Sequence, residues 1–321
     1  MGSGFHNVFW GSFYANSPVL GNWEDFVVSD LVNYVESNFR TLQSPDFRGI
    51  AGFSMGGLGA LNIGMKHPDV FGATYAIAPA LFDKTGLVDS HILSQSSVNL
   101  YFEIERTLAG LNRTAAHASY LAILGRIWDF TQMSALAYGS AFSPNLEKDA
   151  PYIDYPYYND TVLGVVQNET LWQKYEKGSG SIDEKVQKYR DNLLGLKGIG
   201  VEYGLYDLNQ WIPKGCRYFA QKLDELNITC QLVATTNGHA IGRIQDRMLP
   251  FFALIFKTLR TTDLNMDEAI DLVDITIAAK AFGSRSGNEN WNFMADQDRN
   301  GIIDIKDLIR IAIDFGKHLD Y

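Results

Sequence analysis

The chain has 321 residues, of which 46% are apolar, 13% aromatic and 20% charged. That is globular composition, and it excludes intrinsic disorder, collagen and coiled coil. A formal net charge of −10 argues against a nucleic-acid partner, because phosphate binding draws on basic patches.

No apolar run reaches the roughly 20 residues that a membrane-spanning helix needs. Two cysteines, Cys216 and Cys230, are too few for a disulfide framework or a thiolate metal site. They either pair in an oxidising compartment or stay as two buried thiols. The opening MGSGFHNVFWGSFY lacks the basic start and apolar core of a signal peptide. Four Asn-x-Ser/Thr sequons, at Asn112, Asn159, Asn168 and Asn227, would permit glycosylation in a secreted protein.

In chain order, Val8 to Trp10 reads as the end of a short strand. Asn22 to Phe39 predicts an amphipathic helix, because Trp23, Phe26, Val27, Leu31, Tyr34, Val35 and Phe39 recur at spacings of three and four, with Asn22 as N-cap. Phe47 to Phe53 is a short strand that breaks into glycine. A small-residue helix follows from Leu58 to Lys66, then a strand from Ala73 to Ile77. Residues 84–195 interrupt the alternation with helical stretches around Val98–Leu111 and Ala118–Ala137 and a Tyr/Pro-rich loop over 151–158. Strand, helix, strand and helix then resume over Ile199–Tyr203, Pro213–Leu226, Thr229–Thr235 and Met248–Leu259. Strands alternating with helices imply an α/β fold with a mostly parallel sheet covered on both faces.

Gly52-Phe53-Ser54-Met55-Gly56 fits the nucleophile-elbow pattern G-x-S-x-G between an apolar strand and a small-residue helix. A serine there sits on a strained turn whose neighbours must lack side chains. The N–H of Met55, at the helix N-terminus, is aimed at a developing oxyanion. A serine nucleophile needs a base, and the base needs an orienting carboxylate. Of the six histidines, His239 follows the strand Thr229–Thr235, which is the expected place; His91 and His117 fall in the insertion, and His318 in the tail. Asp207 follows the preceding strand, and Asp224, inside a helix, is the alternative acid.

The segments Gly11–Ser17, Trp23–Phe26, Ala51–Gly57, His67–Phe71 and Gly238-His239 together resemble the family of α/β-hydrolases that includes esterase D-like and feruloyl-esterase-like enzymes and, more distantly, the mycolyltransferases. The resemblance covers roughly residues 5–260. It implies Ser54 as nucleophile, His239 as general base and Asp207 as orienting acid. In that family two or three strands precede the segment matching Met1–Tyr14, and a loop after one of them supplies the second oxyanion N–H. The expectation is therefore a chain truncated at its N-terminus. The insertion carries 14 aromatics and is expected to form a lid whose apolar wall receives an acyl group.

The last fifth of the chain is more acidic: residues 261–321 hold 12 Asp+Glu against 6 Lys+Arg. Asp263, Asn265, Asp267, Asp271 and Asp274 occupy positions 1, 3, 5, 9 and 12 of a loop, with Ala269 at position 7. Asp296, Asp298, Asn300, Asp304 and Asp307, with Ile302 at position 7, repeat the pattern 33 residues later. Such spacing wraps side-chain oxygens and one backbone carbonyl around Ca²⁺. Each loop runs into a similar apolar helix ending in Phe-Gly, Leu272–Gly283 and Leu308–Gly316. The duplication, with Asp at position 12, resembles dockerin modules, which implies structural Ca²⁺ and a cohesin-like protein partner. Two features depart from that pattern. Glu268 replaces the turn glycine of the first loop, and positions 10 and 11 read Leu272-Val273 and Ile305-Lys306.

The expected organisation is a catalytic domain over 1–260, with its lid over about 84–195, and a calcium-binding module over 261–321. The expected activity is extracellular or cell-surface serine ester hydrolysis of small-molecule or polysaccharide-linked acyl esters, acetyl or feruloyl in type, with no cofactor for the chemistry. The alternatives are an acyltransferase using the same triad and a catalytically incomplete binding protein.

Overall fold

Four parallel strands build the sheet: β1 (Gly49–Phe53), β2 (Ala73–Ile77), β3 (Gly198–Gly204) and β4 (Gln231–Thr235), paired in that order. In the computed structural model, residues 11–256 and 262–318 are described, except 266, 268, 286, 287, 289, 293 and 299. The expected strand at Val8–Trp10 lies outside them.

Every residue of β2 is buried, as a central parallel strand covered on both faces requires. Helix α1 (Met55–Lys66) packs on β1 and β2 through Leu58, Leu61, Ile63 and Met65, all at most 2% exposed. Helix α2 (Trp211–Asp224) packs against β3 and β4. Gly215 sits so close to the Leu81 carbonyl that a Cβ there would stand 2.0 Å from its oxygen. The mostly parallel sheet with these flanking helices fits the α/β-hydrolase-like class.

The expected N-terminal helix forms as one run over 23–38 with a π-helical stretch at Phe26–Leu31, and none of its residues is buried. Asn22 does not cap it. Asn16 does so instead, because the bridge Asn16↔Asn22 brings its Oδ1 within 3.0 and 3.1 Å of the Glu24 and Asp25 N–H groups. Between β2 and β3, the single helix expected over Ala118–Ala137 is two, Arg113–Leu124 and α3 (Phe130–Phe142). Gly125 ends the first, and the Asp129 side chain accepts from Gln132 N–H to start the second. The Tyr/Pro-rich loop continues into an antiparallel hairpin, Tyr157–Asp160 with Gly164–Gln167. Tyr155 is stacked on Tyr101 at 3.8 Å between ring centroids, so several aromatics of the insertion fill its own core. Both cysteines are free. No helix among the described residues is long and apolar enough to cross a membrane.

The chain divides into two compact units, 1–242 and 243–321. Helix Met248–Ile255 therefore groups with the second unit, where the sequence placed the boundary at 260. That unit's own core holds Ile270, Ala278, Ile303 and Ile311 beneath helices Leu272–Lys280 and Ile305–Ile313.

Candidate active site

Ser54 lies between β1 and α1 with φ 56°, in the left-handed region that costs a side-chain-bearing residue of order 1–3 kcal/mol. The turn is held by its backbone: Ser54 N–H donates to the Ile77 carbonyl at 2.9 Å, and the Ser54 carbonyl accepts from Ala80 N–H at 3.2 Å. Its tightness demands glycines. A Cβ on Gly52 would stand 2.1 Å from the Gly56 carbonyl oxygen, and one on Gly57 3.0 Å from that of Ile77. Met55 opens α1, so its N–H is among the first four of the helix, which have no intrahelical acceptor. A Cβ on Gly11 would lie 2.9 Å from the Met55 sulfur and 3.7 Å from the Ala137 Cβ, so α3 and the Gly11 turn wall this end of the elbow.

His239 Nε2 stands 2.9 Å from Ser54 Oγ, and its Nδ1 2.7 Å from Asp207 Oδ2. Asp207 is fully buried in the turn after β3, where Asn209 N–H donates to its Oδ1 at 2.8 Å. That bond fixes the carboxylate, which in turn fixes the imidazole tautomer with the proton on Nδ1 and the lone pair toward the serine. The Phe53 ring packs on His239 at 4.8 Å. The structure thus brings together Ser54, His239 and Asp207, while Asp224 is exposed at the end of α2. Asn209, Gln210 (whose side chain donates to the Asp207 carbonyl) and Phe53 complete the setting. Only Phe53, inside the elbow motif, carried a local signal for its place.

In the second unit the two loops share one helix-capping pattern. Asp274 Oδ1 accepts from Leu264 and Asn265 N–H at 2.5 and 3.2 Å, and Asp307 Oδ1 from Asp298 N–H at 3.0 Å. Asp271 and Asp304 cap their helices, each in a capping box with the Asp three residues on. Asp267 accepts from Ala269 N–H and Asn300 from Ile302 N–H. Asp263, Asp274 and Asp307 are fully buried. One carboxylate oxygen each from Asp296, Asp298 and Asp307 lies within 4.8 Å of the others, a convergence found among the described residues in the second loop and not in the first. Gly301 takes φ 79° at the turn of the second loop, a conformation open to glycine, while the matching Glu268 of the first loop lies outside the described residues. Converging hard oxygens on a buried carboxylate pattern fit Ca²⁺.

The family model described as Putative esterase matches residues 12–179, just over half of the chain. The chain belongs to that family. Two esterases of Mycobacterium tuberculosis are 50% identical over 46 residues, which is 14% of this family member and 10% of each relative, so the match spans about a tenth of their length. Among solved structures, a ferulic acid esterase is similar at 19% identity and TM-score 0.45, covering 78% of this chain and 67% of that one. A fluorophosphonate-binding serine hydrolase of Staphylococcus aureus is similar at 13% identity and TM-score 0.43, covering 76% and 68%.

Proposed function

We propose that this member of the esterase family is a serine carboxylic-ester hydrolase. The observation that carries the reading is the unbroken chain Asp207–His239–Ser54, at 2.7 and 2.9 Å, ending on a strained elbow serine. Ser54 Oγ attacks the ester carbonyl as His239 Nε2 takes its proton. The imidazolium, held by Asp207, then returns that proton to the departing alcohol, leaving an acyl-serine. A water activated by the same imidazole hydrolyses the acyl-serine. The Met55 N–H is assigned to the oxyanion.

The substrate class we infer is an acyl ester on carbohydrate, acetyl or feruloyl in type, met outside the cell, with residues 84–195 acting as a lid. For the tail we propose a dockerin-like module with one Ca²⁺ per loop. Asp263, Asn265, Asp267, Ala269 carbonyl, Asp271 and Asp274 would hold one ion, and Asp296, Asp298, Asn300, Ile302 carbonyl, Asp304 and Asp307 the other. A cohesin-like partner for this module rests on the dockerin resemblance alone, and Leu272-Val273 and Ile305-Lys306 at positions 10 and 11 depart from that pattern.

The enzymatic reading is tested by fluorophosphonate labelling and 4-nitrophenyl acetate turnover. Ser54→Ala is expected to abolish labelling and to lower kcat by at least about 10³-fold. Retention of near-wild-type turnover would sink it.

A further inference from the structure

The backbone enters the left-handed region at two successive bulky residues, Phe13 and Tyr14, with φ 49° and 53°. Such strain persists only where the surroundings over-determine it, and it gathers at functional sites. Here the surroundings are specific. The Ser12 carbonyl accepts from Ala15 N–H at 3.1 Å, and the Ser12 hydroxyl oxygen accepts from Tyr14 N–H at 3.2 Å. The buried Phe13 ring stands edge-on to Tyr138 at 5.2 Å, with Phe142 at 5.4 Å, which anchors the turn on α3. Ser17 donates to the Ser140 carbonyl of the same helix.

The turn delivers the Tyr14 ring to α1. A Cβ on Gly59 would stand 2.7 Å from Tyr14 Cδ2 and 2.9 Å from its Cβ and Cγ. A Cβ on Gly56 would meet Tyr14 Cε2 at 3.7 Å and the hydroxyl oxygen at 3.8 Å. The ring therefore lies along α1 with its hydroxyl end toward Ser54. Gly57 is bounded instead by the sheet side, at Ile77 and Pro79, so Gly59 is small to admit this ring. Glycine is a poor helix former, and three of the first five residues of α1 are glycine. The turn that carries the Met55 N–H thus has little rigidity of its own and depends on what packs against it.

We infer that Tyr14 is a positioning residue: its ring, aimed by the strained turn, holds the first turns of α1 so that the Met55 N–H meets the developing oxyanion. Gly11, at the other end of the same turn, meets the Met55 sulfur. The inference rests on the ester-hydrolase reading of this site and adds the part that aligns its oxyanion donor. A donor displaced by about 1 Å loses on the order of 10²-fold in rate, because its bond strengthens only in the transition state.

The test measures kcat and KM for 4-nitrophenyl acetate, with inhibition by benzyl trifluoromethyl ketone, whose adduct with Ser54 carries an oxyanion. Tyr14→Ala is expected to lower kcat by about tenfold to a hundredfold, with KM within about threefold, and to weaken the ketone by a similar factor. Tyr14→Phe, which keeps the ring, should recover both. Gly59→Ala raises helix propensity yet drives a methyl into the ring. It should lower kcat in the native background and cost nothing further in Tyr14→Ala, where the ring is gone. Should Tyr14→Ala fail to fold, Gly59→Ala decides by kcat and ketone affinity. The inference is overturned if folded Tyr14→Ala or Gly59→Ala keeps both within about threefold of wild type. It is equally overturned if the loss lies in KM with ketone affinity unchanged, or if Tyr14→Phe is as impaired as Tyr14→Ala. A wild type inert to 4-nitrophenyl acetate and to a fluorophosphonate removes the hydrolase reading itself, and this inference with it.

Discussion

Ser54 shows how a local sequence pattern becomes a strained turn that presents a serine. Its φ of 56° is tolerated because the neighbours at Gly52, Gly56 and Gly57 leave the backbone room to close on itself. Gly52→Ala would drive a methyl against the Gly56 carbonyl oxygen, a contact that no side-chain rotation relieves. It is expected to destabilise the domain by roughly 2–4 kcal/mol and to cut esterase activity, read by thermal melting and 4-nitrophenyl acetate turnover. A variant with wild-type melting and turnover would show that the elbow is less tight than its geometry implies. Asp207→Asn keeps the size of the side chain but presents an amide donor where His239 Nδ1–H needs an acceptor. It should therefore lower kcat by roughly 10³–10⁴-fold with little loss of stability, and Asp224→Asn, on the exposed end of α2, should leave kcat unchanged. The place of Ser54 on the elbow was legible from five adjacent residues, and its meeting with His239 and Asp207 from strand order. The Asn209 and Gln210 contacts with Asp207, and the Tyr14 contact with α1, were not, because no spacing rule joins residues whose meeting depends on the loop after β3 or on the turn over 12–15.

At the level of elements, continuous apolar strands were the clearest signal, and β2 spans the expected residues Ala73–Ile77. Periodicity failed where polar capping decided the outcome. Apolar spacing ran on past Gly125, but Asp129 offers the backbone a fresh N-cap, and two helices result. Asn22 stood one residue before its helix, yet Asn16, six residues earlier, won the N–H groups because a two-residue bridge folds it back.

The short helix Ile182–Lys188 carries a group of a different kind. Lys185 donates to the Gly178 carbonyl at 2.7 Å. Burial, with the charge of Lys66 adding to it, pushes its amine from 10.5 down to about 7. The folded value lies below the unfolded one, so between about 7 and 10.5 the unfolded chain binds the extra proton, and stability rises with pH across that window. Lys185→Met removes this dependence. Its melting temperature should exceed that of the wild type most at pH 6, with the difference shrinking toward pH 10. A difference constant with pH would mean that the amine is charged in the folded protein.

Across the whole molecule, the two units present different chemistry: Ser54, His239 and Asp207 lie in the first, and the duplicated acidic loops in the second. The second loop brings together the carboxylates of Asp296, Asp298 and Asp307, which repel one another without a cation, and in both loops the position-12 carboxylates Asp274 and Asp307 hold the N–H groups of their own helix starts. A cation that binds only the folded loops stabilises them by mass action, about 2.7 kcal/mol at a concentration 100 times its dissociation constant. Calcium should therefore raise the melting temperature and protease resistance of residues 243–321, while 4-nitrophenyl acetate turnover in chelator stays near its value in calcium, because no residue of the Ser54 site is a proposed ligand. Asp296→Ala and Asp307→Ala should each remove one of two titratable sites. The site that remains should be the weaker one, since the first loop has Glu268 where Gly301 supplies the second with its left-handed turn. Isothermal titration resolves the two. If no calcium binds, and the tail's protease sensitivity is the same in calcium and in chelator, the duplicated loops are acidic helix caps and the dockerin-like reading falls, leaving the Ser54 site untouched.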